Sequence, residues 1–269
     1  DEGSPLIVLS KRLLRKVDNL TSVNVSLAMR YGNPSIFDGI KELSDKGVTE
    51  ILLIPLYPQH AMASTETILV LAEKIRKENF SHIDFTNLPA FYNHPDYIRV
   101  LSNSIQDHLK GKEWDHLLFS YHGIPERHVD KVYLDGKPCK DHDCDTEIND
   151  SNKHCYKATC FATTRHLAKI LNLKEDQHRT TFQSRLGRDP WLTPYTDKTV
   201  EKLGKDGMKK ILVFSPAFVA DCLETILEIC EENQEIFVEN GGEKLDLVPS
   251  LNDGEDWAKC VVKMIQDYI

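Results

Sequence analysis

No apolar run in this chain approaches the ~18 residues that a membrane-spanning helix needs. No strand-like run leads into G-x-G-x-x-G or G-x-x-x-x-G-K-[ST], which argues against a dinucleotide enzyme or an NTPase. Positive charge is in deficit: 33 Lys and Arg face 42 Asp and Glu, for a net charge of −9. Phosphate backbones demand a basic surface, so no nucleic-acid partner is expected. Ser120 in "FSYHG" lacks the flanking glycines of a nucleophile elbow, leaving a Ser-His hydrolase without a motif. The opening "DEGSPLIVLSKRLLRKV" starts acidic and breaks its apolar stretch with charge, unlike a secretory signal. It reads as starting in mid-element, as part of a longer chain.

Cysteine, by contrast, is concentrated. Of seven, Cys139, Cys144, Cys155 and Cys160 share one short segment, while Cys222, Cys230 and Cys260 are scattered. A reducing, cytoplasmic compartment is the expectation, in which grouped thiols suggest metal before disulfide. The pattern is C-x4-C-x10-C-x4-C, four thiols able to hold a metal. Structural zinc is one such metal, although its ligand pairs are usually ~2–4 residues apart. Cys160 also reads as a helical core residue, since it precedes "FATTRHLAKIL".

Short apolar runs alternate with amphipathic stretches along the chain. Strands are expected at 22–30, 50–57, 82–88, 116–122, 180–184, 210–216 and 245–250. Helical patterns cover 34–47, 65–78, 95–111 and 162–173. This order predicts an α/β protein with parallel sheets wrapped by helices, and continuous apolar strands agree with burial on both faces. The chain also resembles itself: "LSDKGVTEILLIPLYPQHAMASTETILVL" (43–71) can be laid over "LGKDGMKKILVFSPAFVADCLETILEI" (203–229). Two similar doubly wound halves flanking a cleft are the simplest account.

Ligands of open α/β sheets bind beyond the carboxyl ends of the strands. Those ends carry Tyr57, Gln59 and His60; Tyr121 and His122; Gln183, Ser184 and Arg185; and Phe218, Asp221 and Glu224. From Glu224, the segment "ETILEICEE" sets Glu224, Glu228 and Glu232 four residues apart. On an α-helix each such step turns about 40°, giving a slowly winding acidic line. Glu228 and Glu232 alone read equally as a solvated face; Glu224 lies in the first turn, where the helix dipole favours a carboxylate. A neutral imidazole accepts a proton or ligates a divalent metal, and carboxylates hold cations. His122 with Glu224 therefore suits proton removal coupled to metal binding.

"FSYHGIPERH" (119–128), "FQSRLGRDPWLTPYTDKTVEKL" (182–203) and "SPAFVADCLETILEI" (215–229) closely resemble the signature segments of ferrochelatases, which insert ferrous iron into a porphyrin in haem biosynthesis. "MRYGNPSI" (29–36) and "YPQHAMASTET" (57–67) are similar to the family's pattern too. The resemblance implies two Rossmann-like domains, set here at 1–112 with 254–269 and at 113–253, the latter carrying the cysteine-rich insert 133–160. It makes His122 and Glu224 catalytic and metal-contacting, and places Glu228 and Glu232 on the acidic line. Arg30, Tyr31, Tyr57, Trp191 and Phe218 match porphyrin-lining positions. Arg30 and Arg185 are candidates for the propionates.

The cysteine segment resembles a bacterial variant whose internal thiolates hold a [2Fe–2S] cluster. The family's usual first strand and porphyrin-covering loop find no match, so the first sheet is expected to lack a strand. The implied partners are a porphyrin (protoporphyrin IX or coproporphyrin III) and Fe2+, with peripheral contact at the inner membrane face for an apolar product. Two other readings stand beside this one. One is a cobalt or nickel chelatase of another tetrapyrrole pathway; the other is a non-catalytic porphyrin- or haem-binding protein of two lobes.

Overall fold

The computed structural model describes residues 4–269. The chain divides into two units, one running up to Phe91 and resuming at Asn252–Ile269, the other spanning Tyr92–Leu251. In the first, Pro5 opens α1 (Pro5–Leu20), and α2 (Ile36–Asp45) starts at a capping box. The Ser35 hydroxyl accepts the Asp38 amide at 3.1 Å while the Asp38 carboxylate accepts the Ser35 amide at 2.9 Å. Strands β1 (Glu50–Leu53) and β2 (Asp84–Asn87) pair in parallel, Ile51 opposite Phe85. Between them a π-helical turn, Met62–Glu66, runs into α3 (Thr67–Asn79). Ile36, Ile40, Leu43, Ile51, Ala72, Phe80 and Ile83 form this unit's core. The last helix, α9 (Glu255–Gln266), packs on α1.

Residues 22–30, expected as a strand, form no ladder; only Met29 bridges, to Ser35. The segment runs against α2 instead of against another strand. A Cβ on Gly39 would stand 3.1 Å from the Ala28 Cβ and 3.3 Å from the Leu27 carbonyl oxygen. An apolar run alone does not make a strand, which exists only where a neighbour takes its hydrogen bonds.

The second unit begins with α4 (Pro95–Leu109), which packs on α6 (Tyr156–Ile170). By those contacts α4 groups here, where the sequence expectation had set it in the first unit. The sheet is wholly parallel, in the order β4 (His178–Gln183), β3 (His116–His122), β5 (Lys210–Phe214), β6 (Lys244–Leu247). Strand β3 is buried from His116 to Tyr121 and emerges half-buried at His122. Leu118, Val200, Ile211, Val213, Ile229, Phe237 and Leu245 form a core beside it. Each such side chain contributes about 1.5–3 kcal/mol by leaving water. Helices α5 (Glu126–Asp130), α7 (Thr196–Lys205) and α8 (Asn233–Glu239) complete the unit, with a π-helix at Glu224–Glu232 leading into α8.

Chain order reverses about β3: the next strand, β4, lies on one side of it and β5 on the other. A crevice opens at such a switch point, beyond the strands' carboxyl ends. His122 ends β3, and Phe218 lies in the loop that follows β5.

Candidate active site and cysteine centre

The His122 ring is held by its own backbone. Its Nδ1 lies 2.6 Å from the Gly123 carbonyl oxygen, which can only accept, so Nδ1 carries a proton and Nε2 is the ring nitrogen left facing away from this bond. The next turn is tight: the Gly123 amide donates to the Gln183 carbonyl at 2.8 Å. A Cβ on Gly123 would meet that oxygen at 2.7 Å and the Trp191 ring at 3.2 Å, so only glycine fits. Trp191 is fixed by a bridge to Pro125 and by the Leu192 amide donating to the Ile124 carbonyl at 3.0 Å. The rings of Trp191 and Phe218 stand 6.5 and 6.2 Å from that of His122. The imidazole thus emerges between two aromatic surfaces.

Glu224 opens the π-helix and is exposed. The Cys222 thiol beside it holds its carboxyl below the usual carboxylate range; burial opposes this and His122 lowers it further. Burial, with Glu224 adding, pushes the Cys222 thiol up to about 12, which keeps it a donor. The π-helix alters the expected acidic line. Its i→i+5 bonds make a turn of more than four residues, so Glu224, Glu228 and Glu232 stack and drift opposite to an α-helical line. Glu228 accepts the Ser184 amide at 2.6 Å, and Glu232 is exposed. Asp221 is bonded by Thr225 Oγ1 and by the Ser250 amide, both at 3.2 Å, and braces the loop.

Ser120 is fully buried; it lies 2.8 Å from Thr196 Oγ1 and donates to Gln183 Oε1 at 2.7 Å, a structural network rather than a nucleophile's setting. In the first unit, the Arg30 guanidinium lies 4.6 Å over the Tyr31 ring and its Nε is 3.4 Å from Thr67 Oγ1. Tyr31 is 77% exposed and Tyr57 39%. Burial, then Tyr31, raise the Tyr57 phenol while Arg30 lowers it, placing these three side chains within electrostatic reach of one another. His60 Nε2 lies 3.1 Å from Glu66 Oε1. Arg185 lies 4.7 Å over the Tyr195 ring.

Three of the four grouped cysteines converge. Sγ separations are 3.5 Å for Cys139–Cys144, 3.6 Å for Cys139–Cys155 and 3.8 Å for Cys144–Cys155, all buried. Cys160 does not join them; it is fully buried on α6 beside Tyr156 and Tyr121. The spacing misled for a geometric reason. Cys155 caps α6, and a residue five places on is rotated by roughly 140°, onto another face. No sequence pattern singles out Tyr133, whose hydroxyl is 2.6 Å from Cys144 Sγ and whose ring stacks on His142 at 3.7 Å. Thiol donation from Cys139 and then Cys144 draws the Cys155 thiol down, while bonding to Cys144 and Cys155 pushes Cys139 up. A tetrahedron with ~2.3 Å metal–sulfur arms has edges of about 3.8 Å, so the trio fits a single ion.

The family model described as Ferrochelatase matches residues 1–269. A ferrochelatase of Pseudomonas fluorescens (strain SBW25) is 43% identical over 264 residues, 97% of this chain and 77% of the relative. One of Ectopseudomonas mendocina is 44% identical over 263 residues, with the same coverage. Among solved structures, SirB from Bacillus subtilis with Fe3+ superposes with a TM-score of 0.64 at 11% identity, covering 99% of this chain and 92% of that one. The sirohydrochlorin chelatase SirB of B. subtilis subspecies spizizenii, in complex with cobalt, gives 0.64 at 10%, covering 97% and 88%. At such identities the structural likeness speaks for the fold alone, whereas the match along the sequence is decisive: the chain belongs to the ferrochelatase family.

Proposed function

We propose that this chain inserts Fe2+ into a porphyrin with release of two protons, a step of haem biosynthesis. The observation that carries the reading is His122, fixed by Gly123 at Nδ1 and flanked by two aromatic rings at a sheet's switch point. A porphyrin must lose two N–H protons and take the metal from one face, which requires a bent macrocycle. Strain of ~1–5 kcal/mol is within what binding energy sustains. Trp191 and Phe218 supply apolar contact for the ring, His122 Nε2 accepts pyrrole protons, and Glu224, ionised at neutral pH, draws the cation. Glu228 and Glu232 continue the acidic line. Arg30, Tyr31 and Tyr57 are assigned to porphyrin binding on the family resemblance of their segments.

The cysteine trio is assigned one structural ion, with Cys139, Cys144 and Cys155 as thiolate ligands. A [2Fe–2S] cluster takes four ligands shared between two irons. With Cys160 elsewhere, the grouped cysteines supply three. Among the described residues no helix is long and apolar enough to cross a membrane.

Anaerobic loss of free-porphyrin fluorescence on adding Fe2+ or Zn2+ tests the activity. The expected result is multiple turnovers in the wild type and none in His122→Ala, with its fold intact. Stoichiometric porphyrin binding without turnover by the wild type would establish a carrier instead.

A further inference from the structure

We infer that Tyr156 is a positioning residue through which the cysteine trio sets the attitude of His122. The inference rests on the proposed role of His122 and deepens it. Tyr156 is the first residue of α6, directly after Cys155, which caps that helix and belongs to the trio. Its ring is buried, and its hydroxyl donates to the His122 carbonyl at 2.9 Å.

That carbonyl belongs to the peptide joining His122 to Gly123. The amide of the same peptide donates to the Gln183 carbonyl at 2.8 Å. The plane is therefore held at both edges, by Tyr156 at its oxygen and by β4 at its nitrogen. The following carbonyl, of Gly123, is the one that takes Nδ1. Tilting the first plane moves the second and carries the imidazole with it. Tyr156 thus acts one peptide away from the group that fixes the ring's tautomer.

The far end of the same loop is held by the trio as well. The Cys139 amide donates to Asp130 Oδ1 at 2.7 Å, and Asp130 closes α5. The segment 122–130 is clasped at its start by the residue after Cys155 and at its end by Cys139. An ion gripping both cysteines fixes the distance between the two clasps. Loss of the ion frees α6's first turn from Cys139 and slackens the hold on His122. The cysteine-rich insert, remote from the reacting atoms, then has a direct mechanical bearing on the histidine.

The test uses Tyr156→Phe in the full chain, with imidazole NMR of His122 as a readout independent of turnover. Loss of one hydrogen bond, about 0.5–1.5 kcal/mol, corresponds to a roughly two- to tenfold fall in kcat. The expected result is that fall with porphyrin KM unchanged, together with a shifted or broadened His122 resonance. The wild type stripped of metal with EDTA should show the same His122 change, reversed by reloading Zn2+. An unshifted His122 resonance in Tyr156→Phe, or an unchanged resonance on stripping, overturns the inference. If the variant fails to fold, stripping and reloading the wild type alone decides. Should His122→Ala keep full chelatase activity, the role given to His122 fails, while the resonances still report whether Tyr156 and the trio position it.

Discussion

Ser184 grips the Glu228 carboxylate with two donors at once, its amide on Oε1 at 2.6 Å and its hydroxyl on Oε2. Ser184 follows β4 in a left-handed conformation (φ 64°), and Glu228 sits in the middle of the π-helix. The pair ties the end of one strand to the acidic helix. It also separates the carboxylates by role: Glu228 has its oxygens engaged, whereas Glu224 is exposed beside His122.

Glu224→Gln should therefore cost more activity than Glu228→Gln. Losing a carboxylate that acts on the metal or its displaced protons is expected to lower kcat by about a hundredfold or more. Glu228→Gln sets an amide against two donors and should cost about 1–2 kcal/mol of stability, less than a fully buried charged pair. Steady-state zinc insertion and urea unfolding separate the two. Equal losses of kcat would refute the division.

Metal content should follow the trio and ignore Cys160. Wild type and Cys160→Ala are expected to purify with the same ion, near one per chain, and Cys155→Ser with little or none. Removing one of three converged ligands leaves too few thiolates to hold the ion, whereas Cys160 is held apart on α6. Elemental analysis with a visible spectrum checks this. Two irons per chain with cluster absorption, lost in Cys160→Ala, would restore the four-cysteine cluster.

His116 opens the buried strand β3, and burial, reinforced by Arg179, holds its imidazole below the ordinary histidine range. The sign follows: with the folded pKa depressed, its contribution to stability is present above the unfolded value of about 6.5 and is lost as pH falls through that value and toward the folded one. The urea midpoint should fall between about pH 7 and pH 5, and His116→Gln should flatten that slope. An equal slope in the variant would assign the acid sensitivity elsewhere.

How much of this was legible depended on whether a feature is local. The self-similarity placed Leu43 with Leu203, Gly47 with Gly207 and Glu66 with Glu224, and both copies do turn through a positive-φ glycine into a β-strand. Each copy then enters a π-helical segment, Met62–Glu66 and Glu224–Glu232. Side-chain periodicity could not show this, because the extra residue per hydrogen bond lies in the backbone. His122 was legible because an apolar run ended in a titratable ring before a glycine, a pattern of neighbours in sequence. Tyr156 and Tyr133 were not, since what matters about each is a partner far along the chain, His122 for one and Cys144 for the other. Helix α1 lacked a sequence expectation, and residues 22–30 carried a strand's pattern without a strand's partner.

Gly123 brings the local and the distant together, and its substitution is the sharpest test of the site's construction. The residue has no need of positive φ; its constraint is space, with the Gln183 carbonyl 2.7 Å and Trp191 3.2 Å from where a Cβ would lie. A backbone oxygen cannot swing aside as a flexible side chain would, so Gly123→Ala must push β3's end from β4 and tilt Trp191. Overpacking of this kind costs about 1–3 kcal/mol. The same displacement moves the Gly123 carbonyl that holds His122 Nδ1, so activity should fall further than stability alone explains. The expected variant is folded, melts earlier and inserts Zn2+ at least tenfold more slowly even well below its melting temperature. Wild-type turnover in a destabilised Gly123→Ala protein would show that the histidine does not depend on this turn for its place.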